Sequence, residues 1–342
     1  MKHIGENLKK FRLLKNYSLK EAGALMNMSA TAILKYENGE LIPDSTKLIK
    51  FASSYGVLVK DILVNYEKVV LKFSSFRKNK TLTGQRLELL KKIIEDEISK
   101  YFLVLSLSGI SNNDNKIKKY NISDLSDIDE MAIIFKEEVL KINQNSIISS
   151  LTNVIENSGI LIINLKESDY FYDFDGYCEI VNNIPVIVIS SKFDGATQRF
   201  ILAHELAHLF INNCCEEEDE IICDKFANAL LMPKKDVFQF FGVSRKDITP
   251  FELSIFKKQY KVSYKQILYR LKDLKIISIY TFKRILSEIN KLDNEENFDK
   301  EISYQFKRIV YKLNSTNIIG ESKAIELLGV SLDEYYKENI FL

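Results

Sequence analysis

The sequence predicts a multidomain chain: an all-α domain at the front, an α+β domain in the middle and a helical region running to the end. Three observations carry this reading. Residues 4–64 place apolar residues at helical spacing, cut into short segments by cap and turn residues. Beyond residue 125, two short apolar runs, ILIINL (160–165) and IPVIVISS (184–191), read as buried strands among helices. After Pro233 only the helical pattern remains.

In chain order, IGENLKKFRLLKN (4–16) sets Ile4, Leu8, Phe11 and Leu14 on one helical face. Ser18 caps SLKEAGALM, a turn follows at Asn27 and Met28, and Ser29 caps SATAILKYENG. Pro43 and Ser45 open two further short helices that end near Leu63. This punctuation is a helix-turn-helix pattern. Residues 66–125 read as a connector with a strand, KVVLKF, and a long amphipathic helix from about Leu82 to Leu107. The polar stretch 111–121 has no apolar period and marks the main boundary. DIDEMAIIFKEEVL and SLTNVIENSG are then helices, and the second strand leads directly into the helix that holds two histidines. The expected units are residues 1–66, 67–124, 125–243 and 244–342.

Hydrophobic residues at 46% and charged residues at 28% exclude extended disorder over most of the 342 residues. At roughly 150 residues per domain, that length implies two or three cores. The first residues lack the apolar core of a signal peptide, and no run approaches the roughly 18 uncharged residues of a membrane helix. A cytoplasmic protein with no membrane partner is therefore expected. Cys178, Cys214, Cys215 and Cys223 are too few and too unevenly placed for a disulfide framework and are read as free thiols. The net charge of +1 hides an asymmetry: residues 1–100 carry 19 Lys and Arg against 11 Asp and Glu, and the remainder 29 against 36. A basic front and an acidic back direct nucleic acid to the front domain alone.

Only three histidines occur, and two of them stand four residues apart in QRFILAHELAHLFI (198–211). On a helix this spacing stacks His204 and His208 one turn apart, with Glu205 rotated to the side, so that both imidazoles can hold one ion. The bland alternative is a buried amphipathic helix whose histidines are satisfied by neighbours. Leu202, Leu206, Leu209 and Phe210 would bury this helix in the core, and the strand ending in VISS is expected to offer a peptide-binding edge beside the metal. A hydrolytic zinc site takes three protein ligands. The third comes from CCEEEDEIICD, where Glu220, Cys223, Asp224 and Ala227 share a helical face. Glu220 is the chosen ligand, Asp224 the partner that orients a histidine from behind, and Cys223 the alternative ligand as a thiolate. Glu216, Glu217 and Glu218 lie nearer the loop and are read as solvated.

RFILAHELAHLF followed by ExxCDxFANALLMP resembles the ImmA/IrrE family of zinc metallopeptidases over roughly residues 125–275, including DFDGY and PVIVIS before the helix and VSYKQILYRLKDL after it. The resemblance implies a zincin-like α+β domain, zinc held by His204, His208 and Glu220, and Glu205 as the general base that later returns its proton to the leaving amine. Ala207 stands where the family usually has glycine, and Cys223 where it has alanine. His3 belongs to the front domain, so Tyr177 and Arg199 are the candidates to stabilise an oxyanion; Arg199 reads equally well as a structural partner of the acidic cluster.

Residues 4–64 resemble the XRE family of helix-turn-helix domains, which implies that the second helix of the motif enters the major groove of DNA. Ala30, Thr31, Leu34 and Lys35 would then face the bases, a set without the Arg, Asn or Gln of bidentate readout. Lys9, Lys10, Arg12, Lys15, Lys20 and Lys35 would reach phosphates. The competing reading is that this domain docks another helix-turn-helix protein through exposed Leu34 and Tyr36.

The two resemblances together imply a zinc endopeptidase carrying a DNA-binding domain. Such a regulator would cleave a specific partner, a repressor or antitoxin of the helix-turn-helix type, in stress, mobile-element or phage responses. An oligomer is compatible with this pattern. The rival is a non-catalytic helix-turn-helix regulator or antitoxin whose metal domain senses a ligand or binds a partner. Glu205 favours the enzyme, because a purely structural zinc site needs no general base.

Overall fold

The computed structural model describes residues 2–63, 69, 71–73, 84–110, 119–121, 127–144, 146–166, 173–212, 216–291 and 298–339. The front is five helices: α1 (Lys2–Leu14), α2 (Leu19–Met26), α3 (Ala30–Glu37), α4 (Ser45–Tyr55) and α5 (Val59–Leu63). Ser18 and Glu21 close a capping box at the start of α2, Asn27 ends it in the left-handed region at φ 55°, and Ser29 caps α3. Asp44 caps α4, which opens at Ser45. Gly23 lets the helices of the motif meet, since a Cβ there would stand 2.5 Å from the Met28 carbonyl oxygen. Beneath them Arg12 forks onto the Glu37 carboxylate at 2.6 and 2.9 Å, both side chains buried beside Tyr55.

After the front domain come α6 (Gln85–Ser108), β1 (Tyr120–Asn121), α7 (Ile128–Glu138), α8 (Leu151–Asn157), β2 (Leu161–Leu165), β3 (Gly176–Val181), β4 (Ile184–Ser190), α9 (Gly195–Phe210), β5 (Ile211–Asn212) and α10 (Glu216–Leu231). Seven helices complete the described chain: α11 (Lys234–Phe241), α12 (Pro250–Tyr260), α13 (Tyr264–Asp273), α14 (Ile279–Ile289), α15 (Gln305–Ser315), α16 (Glu321–Leu328) and α17 (Leu332–Asn339). The described residues of KVVLKF, 69 and 71–73, form no strand, and most of the 111–121 loop and its boundary lie outside the described residues. None of the helices is long and apolar enough to cross a membrane among the described residues.

A three-stranded sheet in the order β2-β4-β3 forms the centre. β2 runs parallel to β4, while β3 joins β4 as an antiparallel hairpin through Asn182 and Asn183, both at positive φ as a tight two-residue turn requires. Every residue of β4 is buried. The expected peptide-binding edge at β4 is thus corrected: β4 is the middle strand, its hydrogen-bonding groups taken up on both sides, and β3 is the outer strand beside α9.

Alternation along the strands feeds two cores. Ile187, Ile189 and Cys178 pack with α7–α10 and the helices up to α14. Val186, Val188 and Tyr177 face the other way, onto Leu90, Ile94 and Ile98 of α6 and onto Ile309 and Val310 of α15. The body is therefore a helix–sheet–helix sandwich. The segment read as a connector, 67–124, supplies half of one layer, and the packing runs across the expected boundary at 243.

A short segment ties these layers together. The Glu301 carboxylate accepts hydrogen bonds from the Arg199 guanidinium at 2.6 Å and from the amides of Leu151 and Thr152 at the start of α8. Its amide donates to Gln198, whose own side chain reaches Ser190 at the end of β4. Burial pushes the Glu301 carboxyl up, but the Thr152 amide, the Arg199 charge and the Leu151 amide outweigh it and hold it below its usual range. Removing one partner of such a pair leaves a buried charge uncompensated. Arg199→Leu is expected to cost about 3–5 kcal/mol in urea unfolding. Because the carboxyl is depressed on folding, its contribution is present above the usual carboxylate range and fades as pH falls through the folded value. The stability gap between wild type and Glu301→Gln should therefore be flat near neutrality and shrink in acid.

Candidate metal centre

Helix α9 starts at Asp194, whose carboxylate caps the Thr197 amide at 3.0 Å. Its apolar residues are spread around it, and from Gly195 to Phe210 only Thr197, Phe200, His204 and His208 are not fully buried. This stripe repeats every three or four residues and is the one side of α9 left open. Ala203 and Ala207 are buried, and α10 packs against the helix there.

From α10, Glu220 and Asp224 reach the stripe. His204 Nδ1 lies 2.9 Å from Asp224 Oδ1, and an imidazole nitrogen facing a carboxylate carries the proton. His208 Nδ1 faces Cys223 Sγ at 3.5 Å and Asp219 Oδ2 at 3.7 Å. The two Nε2 atoms face each other 3.0 Å apart. Glu220 closes a triangle, with Oε2 3.4 Å from His204 Nε2 and Oε1 3.2 Å from His208 Nε2. Two imidazole nitrogens and a carboxylate brought this close are stabilised by a shared proton or by a cation among them. Zinc–nitrogen bonds of about 2.0–2.1 Å in a tetrahedron place neighbouring donors roughly 3.3 Å apart, so this spacing fits zinc. His204, His208 and Cys223, and His208, Asp219 and Glu220, also bring donor atoms within 4.8 Å of one another. Cys223 and Asp219, however, approach His208 at Nδ1, away from the triangle.

Glu205, 9% exposed, projects from the neighbouring face of α9 toward β3. Gly176 makes room for it: a Cβ there would lie 2.8 Å from Glu205 Oε1 and 2.7 Å from Ile201 Cγ2. Two residues along the same face of β3, the buried Cys178 thiol hydrogen-bonds Glu205; burial first, then the Glu205 charge, keeps its thiol well above the usual range and so protonated. Neither residue is singled out by composition or spacing. The available signal was the pair Gly176 and Cys178 at i and i+2, directly after DFD and before a two-asparagine hairpin turn.

The structure brings neither oxyanion candidate to this centre. Tyr177 alternates to the opposite face of the sheet, where its hydroxyl donates to Glu179 and its ring packs on Phe73. Arg199 is committed to Glu301 and the Ile148 carbonyl, so its structural reading stands, although with Glu301 rather than with the 216–224 cluster. Among the described cysteines, Cys178 and Cys223 are free thiols; Cys214 and Cys215, and the side chains of Glu216, Glu217 and Glu218, lie outside the described residues.

In the front domain, Thr31, Leu34 and Lys35 are exposed on α3 and Ala30 is half-buried. Two expected phosphate contacts are corrected: Arg12 is buried against Glu37, and Lys10 pairs with Asp96 of α6 at 2.6 Å. Lys9, Lys15, Lys20 and Lys35 remain exposed. Tyr36, expected at the surface, is buried edge-on against Phe51, while Leu34 is 42% exposed.

Residues 155–272 match the family model of the IrrE N-terminal-like domain, peptidase family M78, and residues 8–61 match the helix-turn-helix family model. The chain joins a helix-turn-helix domain to an IrrE N-terminal-like domain. The IrrE-like segment contains Gly176, Cys178, both histidines, Glu205, Glu220 and Asp224, but neither α6 nor α15–α17. No curated protein matches the chain. The crystal structure of Bacillus thuringiensis PlcR in complex with the peptide PapR7 and DNA aligns with 98% of this chain and 91% of that one, at 13% identity and a TM-score of 0.19, too low to carry a structural argument.

The close approach of β3 to Glu205 generates a stability test. Gly176→Ala should cost roughly 1–3 kcal/mol by overpacking, and Gly176→Val more. A wild-type urea midpoint for both would mean that Glu205 and Ile201 move aside freely.

Proposed function

We propose that this chain is a zinc-dependent endopeptidase and regulator whose IrrE-like domain cleaves a specific protein partner, a helix-turn-helix repressor or antitoxin. The observation that carries it is the convergence of the two histidine Nε2 atoms and the Glu220 carboxylate next to a carboxylate, Glu205, that lies outside the triangle. His204, His208 and Glu220 would hold zinc, with Asp224 fixing the His204 ring from behind. Zinc bound there supplies a Lewis acid and lowers the pKa of bound water toward neutrality. Glu205 takes a proton from the attacking water and returns it to the leaving amine, while Gly176 and Cys178 hold its carboxylate in place. β3, the outer strand at this point, offers main-chain groups against which an extended peptide can lie.

The helix-turn-helix domain is read as a DNA-binding module, with Ala30, Thr31, Leu34 and Lys35 on the groove side and Lys9, Lys15 and Lys20 toward phosphates. Exposed Leu34 and Leu25, the latter at the end of α2, keep a protein-docking role for this domain as the second reading. The non-catalytic regulator is the rival for the whole chain. Its metal site would work without Glu205, and the buried position given to that residue argues against it.

The purified protein should hold about one zinc per chain by elemental analysis. His204→Ala and His208→Ala should lose it, Glu205→Gln should keep it, and Asp224→Asn should weaken it by about 10–100-fold. Co-expressed with a helix-turn-helix protein encoded beside it, wild type should yield a cut product and Glu205→Gln none. Intact partners with both versions would favour the non-catalytic reading. On DNA from its own upstream region, affinity should fall steeply with salt, and Lys35→Ala should flatten that slope by about one phosphate contact. Salt-independent binding would point away from phosphate contacts.

A further inference from the structure

The two histidines of α9 differ in what stands behind each ring. His204 Nδ1 lies 2.9 Å from the Asp224 carboxylate, the usual kind of partner for an imidazole that binds a metal. His208 Nδ1 instead faces Cys223 Sγ at 3.5 Å, with Asp219 Oδ2 further off at 3.7 Å. Nitrogen–oxygen hydrogen bonds run to about 3.2 Å, so the carboxylate is too distant for one, while the larger radius of sulfur makes the Cys223 contact a hydrogen bond.

Burial separates the two neighbours as well. Cys223 is 0% exposed, on the part of α10 that packs against α9. Asp219, one turn earlier on α10, is partly open to water. A cation between the two Nε2 atoms takes a lone pair from each ring. The ring proton of His208 then sits on Nδ1 and calls for an acceptor there.

We infer that Cys223 is the positioning residue of His208: its sulfur accepts the Nδ1 proton and holds the ring with Nε2 toward His204 and Glu220, without binding the metal itself. The inference rests on the metal-site reading above. A thiolate ligand would belong on the Nε2 side of the ring, whereas Sγ lies on the Nδ1 side. A thiol in this place orients the ring as Asp224 orients its neighbour, yet adds no further carboxylate to a site that already gathers Glu220 and Asp224. Zinc affinity thus depends on Cys223 although no metal–sulfur bond forms.

Zinc binding by the full-length chain, measured in competition with a chelator, tests this. Cys223→Ala should weaken zinc about tenfold, the lower end of what the loss of such a partner costs, because sulfur is a weak acceptor. Cys223→Ser removes nearly the same volume but returns an acceptor, and should recover part of the loss. Asp219→Asn should change the affinity little. The chain has three histidines, so NMR of the zinc-loaded protein labelled in its histidine rings follows three ring systems. Asp224→Asn should move the Nδ1–H resonance of one zinc-sensitive ring and Cys223→Ala that of the other. A serine variant no better than alanine, an unmoved ring resonance, or a larger loss from Asp219→Asn than from Cys223→Ala would overturn the inference. So would a cobalt–thiolate charge-transfer band in the cobalt-loaded wild type, a measurement that needs no variant to fold. A wild type that binds neither zinc nor cobalt would instead overturn the metal centre on which the inference stands.

Discussion

Helix α9 is enclosed by the sheet, by α10 and by neighbouring helices everywhere but along Thr197, Phe200, His204 and His208, and that enclosure sets the chemistry of the molecule. A helix packed so closely cannot roll, and its side chains are confined to the rotamers the packing allows. The two imidazoles are therefore held with their Nε2 atoms facing each other and Glu220, an arrangement that three independent side chains in water would seldom adopt. The energy that keeps them together comes from the apolar residues on the other sides of α9 and α10, each worth about 1.5–3 kcal/mol on burial. A cation can take the place between them, and the fold is in this sense prepared for one.

Much of this was legible in the sequence because it depends on local spacing. The front helices follow from Ser18, Asn27 and Ser29, and the grouping of His204, His208, Glu220 and Asp224 follows from offsets of three and four along two helices. What spacing could not give was anything decided by the partner strand. β3 carries a glycine, a cysteine and a glutamate instead of a β-branched run, so it does not read as a strand; yet it is β3 that places β4 in the middle and supplies Gly176 and Cys178 to Glu205. The place of Tyr177 and the acidic partner of Arg199 were hidden for the same reason. One depends on which face of β3 it occupies, and the other on Glu301, 102 residues away.

The front domain meets the body through charge. Lys10 and Glu6 of α1 face Asp96 and Lys92 of α6, at 2.6 and 3.8 Å, both pairs partly exposed. Pairs of this kind are weak and screened by salt. Arg12 and Glu37, by contrast, are closed inside the five-helix unit, where the bidentate pair fixes α1 against α3 without reference to anything outside it. The same stretch of α1 thus spends one basic residue on internal order and another on attachment.

The second face of the sheet has a consequence for how such a chain is inherited. Val186, Val188 and Tyr177 are covered by α6, which precedes the family-matched segment, and by α15–α17, which follow it. A gene fragment that carried residues 155–272 alone into a new setting would bring the whole triangle and an uncovered hydrophobic sheet. The flanking helices and the site must therefore travel together, and recombination can exchange the five front helices more readily than it can exchange either flank.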